Sequence, residues 1–434
     1  MDGGNGLRFE KRMSDLEALM WALERSDPRL VPTMTVVAVL NRAPAPEALA
    51  ERLERLTQRI PRLRDRVAVS RLPMVPPRWE RTPRFDVSAH VLRQPAGGAG
   101  TFEDLLSTAA TATAAPHPPG RPPWELVLVE GLEGGRQGLV LKLHHSYTDG
   151  LGAVKLALEL FDTERAPAPD PTPLPELPGI PGRTPFGPLW DDLAYEGGRA
   201  AGAFLGAVPW AAAAIRDAAR DPWKQAGSAA DLLEAMRYWA HQASGPGSPL
   251  MVGRSGDVWL GAVELALAEV RRAARRAEVS VNDIFLSALL GGLGFYHAKH
   301  GADVSTLRVG IPVNTRPDDG PEMRNQFDAL MVRGPLRPAD PIERARLVHQ
   351  IVRHARSRPG PNLLARGPAV ALHLPGAREL IAAGLRSMDL LASNLPGPPV
   401  PAIYPRQSTQ QTSSPNLGGR EPAQAWRFAV LAGG

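Results

Sequence analysis

The chain contains no cysteine, which excludes disulfides, thiolate metal sites and any route through a covalent acyl-cysteine. That absence suits every redox compartment, so it constrains chemistry and leaves location open. Long apolar runs are missing too. The longest, Ala200 to Ile215, is interrupted by Gly202, Gly206 and Pro209, and it falls short of the roughly 18 apolar residues expected of a spanning helix. The opening Met1 to Gly6 has no apolar signal-peptide core, and Ser14-Asp15-Leu16-Glu17 reads as a capping box that starts a helix. A cytoplasmic protein is expected, with membrane association limited to peripheral contact at the inner face of a membrane or on a lipid body. There is no zinc-finger spacing and no interleaving of aromatic and basic residues, so no nucleic-acid partner is expected. There is no G-x-S-x-G elbow either, which argues against a serine hydrolase, and no internal repeat.

What the chain has in excess is proline and glycine, 45 and 42 of 434 residues, so loops and breaks should be frequent. The length allows two domains, each with its own core. Hydrophobic content of 43% and charged content of 22% suit a soluble globular protein. The net charge of +5 suits a polyanionic ligand such as coenzyme A or an anionic membrane surface, although any one arginine is better explained by a solvated face.

Short strands and helices alternate in the first part. Met34–Leu40 is strand-like, and Glu47 to Ile60 carries Leu49, Leu53, Leu56 and Ile60 at helical spacing. Arg64 to Ser70 and Phe85 to Leu92 read as extended, and Thr101-Phe102-Glu103-Asp104 opens another helix. Trp124 to Glu130 and Gly138 to His145 form a hairpin across Gly131 to Gly135. In this hairpin Trp124 packs beneath the strands, and Pro122-Pro123 shape the turn before it. Residues 163–188 are a proline-rich linker, and Ala194 to Gly245 is Ala-rich and helical, with Trp210, Trp223 and Trp239. A second α/β portion follows. Val263 to Ala277 is a helix, Ser280-Val281-Asn282-Asp283 starts the next, and Leu307 to Val313 is a strand leading to Asn314-Thr315-Arg316.

The most informative segment is His144-His145-Ser146-Tyr147-Thr148-Asp149-Gly150, where a strand gives way to a helix. Period-2 alternation puts Leu139, Leu141, Leu143 and His145 on one face, toward the buried side, and Val140, Lys142 and His144 on the other. Diverging rings argue against a metal site on the two histidines. Thr148 and Asp149 offer caps for a helix running to Leu160, and Gly150 allows a tight turn. An imidazole with a pKa of about 6.5 takes a proton near neutrality. A carboxylate four residues on braces the loop or an arginine. The alternative is a buried, hydrogen-bonded histidine beside an ordinary helix cap; the doubled histidine and the strand–loop–helix setting favour catalysis.

Taken in order, these blocks resemble the bacterial wax ester synthase/diacylglycerol acyltransferase family, relatives of chloramphenicol acetyltransferase, plant acyl-CoA alcohol acyltransferases and peptide-synthetase condensation domains. HHSYTDG matches the HHxxxDG motif. Arg121-Pro122-Pro123-Trp124-Glu125 matches the PLW block with Pro123 in place of leucine. Asn282-Asp283 matches ND, Ile311-Pro312-Val313 with Arg316 the proline-valine strand, and Asn325 the GN position with Arg324 in place of glycine. Ser393 to Pro398 matches SNxPGP. The resemblance spans roughly residues 10–404.

It implies an α/β fold of two chloramphenicol acetyltransferase-like domains, with mixed sheets flanked by helices and an active-site tunnel at their interface. The expected division is 1–162 for the N-terminal domain, 163–245 for linker and helical crossover, and 246–434 for the C-terminal domain. Acyl-CoA is the implied co-substrate and a hydrophobic alcohol the acceptor, with no permanently bound cofactor and no metal. His145 is the implied general base, His144 a supporting residue and Asp149 a structural carboxylate. Arg316 is the candidate partner of Asp149, which has the ring of the histidine as its alternative. Asn282 either stabilises the oxyanion or holds the motif loop, and Gly150, Asp283 and Trp124 are supporting residues.

After Ile403 the chain departs from the family pattern into a polar, proline-broken stretch. This predicts poor order over 405–424 and an incomplete second domain. An acyltransferase of the same fold acting on another alcohol or an amine, and a non-catalytic lipid-binding relative, are the competing expectations.

Overall fold

The computed structural model describes residues 10–26, 33–41, 45–72, 75–148, 150–161, 186–199, 201, 247–252, 255–314, 327–357 and 387–395. Helix α1 (Asp15–Ser26) opens as its capping signature predicts: Ser14 N donates to Glu17 Oε2 at 2.9 Å, and Glu17 N to Ser14 Oγ at 3.3 Å. There follow β1 (Thr33–Leu40), α2 (Pro46–Arg59), β2 (Asp65–Ala68), β3 (Arg78–Arg81), β4 (Val91–Pro95), α3 (Phe102–Ala114), β5 (Trp124–Leu132), β6 (Arg136–His144) and α4 (Gly150–Leu158).

The predicted hairpin is β5–β6, and it forms the centre of a mixed sheet in the order β1-β6-β5-β4, with β4 parallel to β5 and the other pairs antiparallel. Leu139, Leu141 and Leu143 of β6 join a core with Leu49, Leu53 and Leu56 of α2. Val140 joins a second core with Leu105, Leu106, Ala109 and Ala110 of α3. The sheet is therefore covered on both faces. Phe85 to Leu92 is not uniformly extended as expected. Asp86 accepts a hydrogen bond from Ser88 N at 2.9 Å and winds Val87–His90 into a 3-10 turn, so the strand begins only at Val91.

Residues 187–199 form a further helix, α5, which begins within the stretch read as linker. It is pinned to the first sheet system by one buried carboxylate. Asp192, 2% exposed, accepts from Arg12 Nη2 at 2.7 Å, Arg78 Nη1 at 3.3 Å and Ser70 Oγ at 2.7 Å. The Arg12 guanidinium also lies 4.4 Å above the Tyr195 ring. Two cations facing one carboxylate compensate its loss of water, which a single exposed pair would not do.

The second α/β body comprises α6 (Leu267–Ala277), α7 (Val281–Lys299), β7 (Thr306–Asn314), β8 (Phe327–Pro335), α8 (Pro341–Ser357) and β9 (Leu390–Leu391). Its sheet runs β8-β7-β9, antiparallel in the first pair and parallel in the second. Leu286 and Leu290 of α7 pack on Val309, Ile311, Leu330 and Val332 of the sheet and on Val348 and Val352 of α8. Helix α6 starts four residues later than the periodicity from Val263 suggests. Residues 261–266 are exposed and the first buried contact of the helix is Ala274, so an earlier turn would have had no face to bury. Strand β8 and helix α8 were not anticipated from the sequence.

No single helix among the described residues is long and apolar enough to cross a membrane. Trp210, Trp223 and Trp239, and the segment 405–424 expected to be poorly ordered, lie outside the described residues. Replacing Asp192 by alanine would remove the carboxylate that Arg12 and Arg78 share, leaving Arg78 with Glu80 at 3.9 Å, at an expected cost of about 3 kcal/mol in docking α5. Amide exchange across 187–199 should then accelerate while the β5–β6 amides stay protected; unchanged exchange in α5 would show that it is held elsewhere.

Candidate active site

The candidate site begins where β6 ends. His144 pairs with Thr33 of β1, and its N–H donates to Pro123 O at 3.0 Å. The PPW block and the histidine motif are thus neighbours in one sheet. Proline in place of leucine at 123 keeps the carbonyl that this contact needs. Trp124 lies beneath the strand as expected. It is 2% exposed, donates from Nε1 to Leu63 O at 2.7 Å and stacks on the His90 ring at 4.3 Å, so it supports the hairpin from within the core.

A turn closes over residues 144–147, with Tyr147 N donating to His144 O at 3.0 Å. Inside it Ser146 N donates to His144 Nδ1 at 3.0 Å, and Ser146 Oγ lies 2.7 Å from the same nitrogen. A nitrogen accepting a backbone N–H carries no proton of its own, so this network assigns the His144 proton to Nε2. Nε2 lies 3.1 Å from Glu24 Oε2 of α1, off the axis of a linear hydrogen bond. The ring is fully buried, with its edge against Trp21 at 4.8 Å and against His117 at 6.1 Å. On the other side of the turn, the Tyr147 hydroxyl donates to Asp65 O at 3.1 Å and the ring stacks on Trp79 at 5.0 Å. Burial pushes that phenol well above its ordinary range.

His145 sits between these two anchored rings, half-buried. Alternation had put His145 with the buried leucines and His144 on the outward face. The structure reverses the burial, because β6 stops at His144 and the face shared by Val140, Lys142 and His144 is covered by α3 and the chain after it. Lys142, also fully buried, reaches Ala115 O at 2.5 Å and Glu125 Oε2 at 3.3 Å. Burial draws its ammonium pKa down, and Glu125 opposes the shift. Thr148 is buried against the first turn of α4, whose opening residue is Gly150. A Cβ at Gly152 would collide with the Thr148 side chain, so this glycine lets the loop lie against the helix. Asp149 lies outside the described residues, as do Arg316, Arg324 and Asn325.

Asp283 is a brace of the second body. It completes the capping box of α7, accepting from Ser280 N at 2.9 Å and Ser280 Oγ at 2.6 Å, and it lies 2.8 Å from His349 Nδ1 of α8. Asn282 beside it is half-buried and has no side-chain hydrogen bond among the described residues. No cluster of His, Asp and Glu suited to a metal ion occurs among them either. The residues around His144 that the sequence did not single out are Trp21, Glu24, His117 and Ser146. Ser146 had a signal, since a hydroxyl two residues after a histidine at a turn is placed to bond back to it. The others are brought in by tertiary packing.

The model of the wax ester synthase/diacylglycerol acyltransferase catalytic domain matches residues 13–285. A Mycobacterium tuberculosis protein named as a candidate diacylglycerol O-acyltransferase is 30% identical over 410 residues, covering 93% of this chain and 80% of its own. Another from the same organism, named likewise, is 27% identical over 354 residues, covering 77% and 71%. Among solved structures, the wax ester synthase/diacylglycerol acyltransferase from Marinobacter aquaeolei VT8 superposes with a TM-score of 0.55 at 18% identity, over 90% of this chain and 83% of that one. At that identity the likeness is one of fold, and the fold is the two-domain α/β architecture expected.

His90 and His117 are both held below the ordinary imidazole range. Burial is the main cause for each, and for His117 the Lys142 charge adds to it. Both rings are neutral in the folded chain, whereas the unfolded chain takes up their protons near pH 6.5. Their contribution to stability is complete above that pH and is lost as pH falls through the folded values. A urea midpoint that is flat from pH 7 to 8 and declines below about pH 6.5 is expected. His90→Phe should make that decline shallower; an unchanged slope would show that His90 is protonated while folded.

Proposed function

Because the chain belongs to the wax ester synthase/diacylglycerol acyltransferase family, and is therefore an acyltransferase, we propose that it transfers a long-chain acyl group from acyl-CoA to the hydroxyl of a diacylglycerol or a fatty alcohol. The product is triacylglycerol or wax ester. The observation that carries the assignment of roles is the Ser146 N–H bonded to His144 Nδ1. It makes His144 a fixed, buried acceptor at Nδ1, with Nε2 facing the Glu24 carboxylate. His145, half-buried in the turn beside it, is the general base.

In this mechanism His145 takes the acceptor's hydroxyl proton as the oxygen attacks the thioester carbonyl. A C–O bond forms, the C–S bond breaks as the tetrahedral intermediate collapses, and the proton passes from the imidazolium to the departing thiolate. A thiol of pKa about 8.5 leaves without a strong acid, so one base and a donor to the oxyanion suffice. The Asn282 amide, with no competing bond among the described residues, is the proposed donor. Asp149 and Arg316 are assigned as an ion pair that braces the loop. No resident cofactor or metal takes part in the scheme. Both acceptors partition into lipid, so peripheral contact with a membrane or lipid body belongs to the proposal.

The test offers palmitoyl-CoA with hexadecanol and with a diacylglycerol to the parent and to His145→Ala, following thiol release and ester together. Ester from the parent, with a loss of a thousandfold or more in the variant, is expected, in the upper part of the range for a general base and higher if the vacated site admits water. Equal turnover by a folded His145→Ala would remove His145 from the chemistry. A folded parent that releases no thiol would remove the acyltransferase scheme itself.

A further inference from the structure

His117 is the group near the motif that the scheme above leaves unused. It follows α3 in the proline-flanked stretch Pro116-His117-Pro118-Pro119, ahead of the PPW block. The ring meets the edge of His144 at 6.1 Å, beside buried Lys142, whose ammonium is already committed to Ala115 O and Glu125. Both ring nitrogens of His117 are shut off from solvent, and neither has a hydrogen-bond partner among the described residues. One such nitrogen is uncommon in a folded protein and two on one ring more so, because each has given up water without replacement. Burial and the neighbouring Lys142 charge keep the ring neutral. It therefore offers one donor and one acceptor, the complement of a hydroxyl or of an ester carbonyl with a nearby donor.

We propose that His117 is a specificity-determining residue whose ring hydrogen-bonds a second oxygen of the acceptor, such as an ester carbonyl of a partial glyceride. On this assignment the site discriminates between acceptors. A diacylglycerol has ester oxygens next to its free hydroxyl, whereas a fatty alcohol has only the oxygen that reacts and leaves the ring unpaired. The inference rests on the preceding assignment of the motif as the acyl-transfer site and adds the acceptor class it prefers.

The experiment compares wild type, His117→Leu and His117→Gln with palmitoyl-CoA and two acceptors, 1,2-dioctanoylglycerol and decanol. For His117→Leu, kcat/KM for the glyceride should fall about tenfold, mostly through KM, while decanol changes less than twofold. His117→Gln, which keeps a donor and an acceptor, should recover part of the loss. An equal fall for both acceptors would reduce His117 to a packing residue, and no change for either would leave only trapped water at the ring; both overturn the inference. Dissociation constants of the two acceptors, read from tryptophan fluorescence, decide the matter without turnover. If wild type makes no ester, the acyl-transfer assignment fails, yet a glyceride-to-alcohol affinity ratio that drops in His117→Leu still supports recognition, and an unchanged ratio refutes it.

Discussion

Strand β6 is covered on both faces, and the rest of the candidate site follows from that constraint. A strand with one wet face leaves its polar side chains to water. Here the leucine face is sealed by α2 and the opposite face by α3 and the chain after it, so Lys142 and His144 must find partners inside. Lys142 finds a carbonyl and a carboxylate, and His144 finds Ser146 at Nδ1 with the Glu24 carboxylate beside Nε2. An unmatched group at either position would cost about 1–3 kcal/mol, a sizeable share of a domain's net stability. The partners are thus requirements of burial before they are features of catalysis.

The same requirement fixes chemistry at the strand end. Because a backbone N–H occupies Nδ1, the His144 tautomer is set by the turn itself, and any rotation of the ring would leave both Ser146 N and Nδ1 unpaired. Tyr147, stacked on Trp79 and bonded to Asp65 O, holds the other end of the turn. His145 is carried on a short segment clamped on both sides. Such placement on rigid supports is what an acid–base group needs, since effectiveness falls steeply once the reacting atoms are misaligned.

Much of this was legible in the residues, for identifiable reasons. The helix starts at Ser14, Thr101 and Ser280 were readable because a capping box is a local, two-bond device with a fixed spacing. The hairpin was readable because alternation and a glycine-rich turn agree. Alternation separated the faces of β6 correctly but could not say what lies over each, which is why His144 and His145 came out reversed in burial. Helix α8 had a local start signal, Asp340 accepting from Ile342 N and Glu343 N ahead of Pro341 at the first position, that went unused. Asp192 and His117 had none. Arg78 is 114 residues from Asp192, and His144, whose ring faces His117, ends a separate strand, so only the packed chain brings them together.

The anchoring of α5 changes what the proline-rich stretch before it is. Phe161 ends the first α/β unit in its core, and Asp192 returns the chain to the same unit through Arg12, Arg78 and Ser70. The described residues on either side of 162–185 are therefore fixed to one body. A backbone cut between Phe161 and α5 should accordingly leave the two flanks associated, because the Asp192 carboxylate that α5 carries is bonded to Arg12, Arg78 and Ser70.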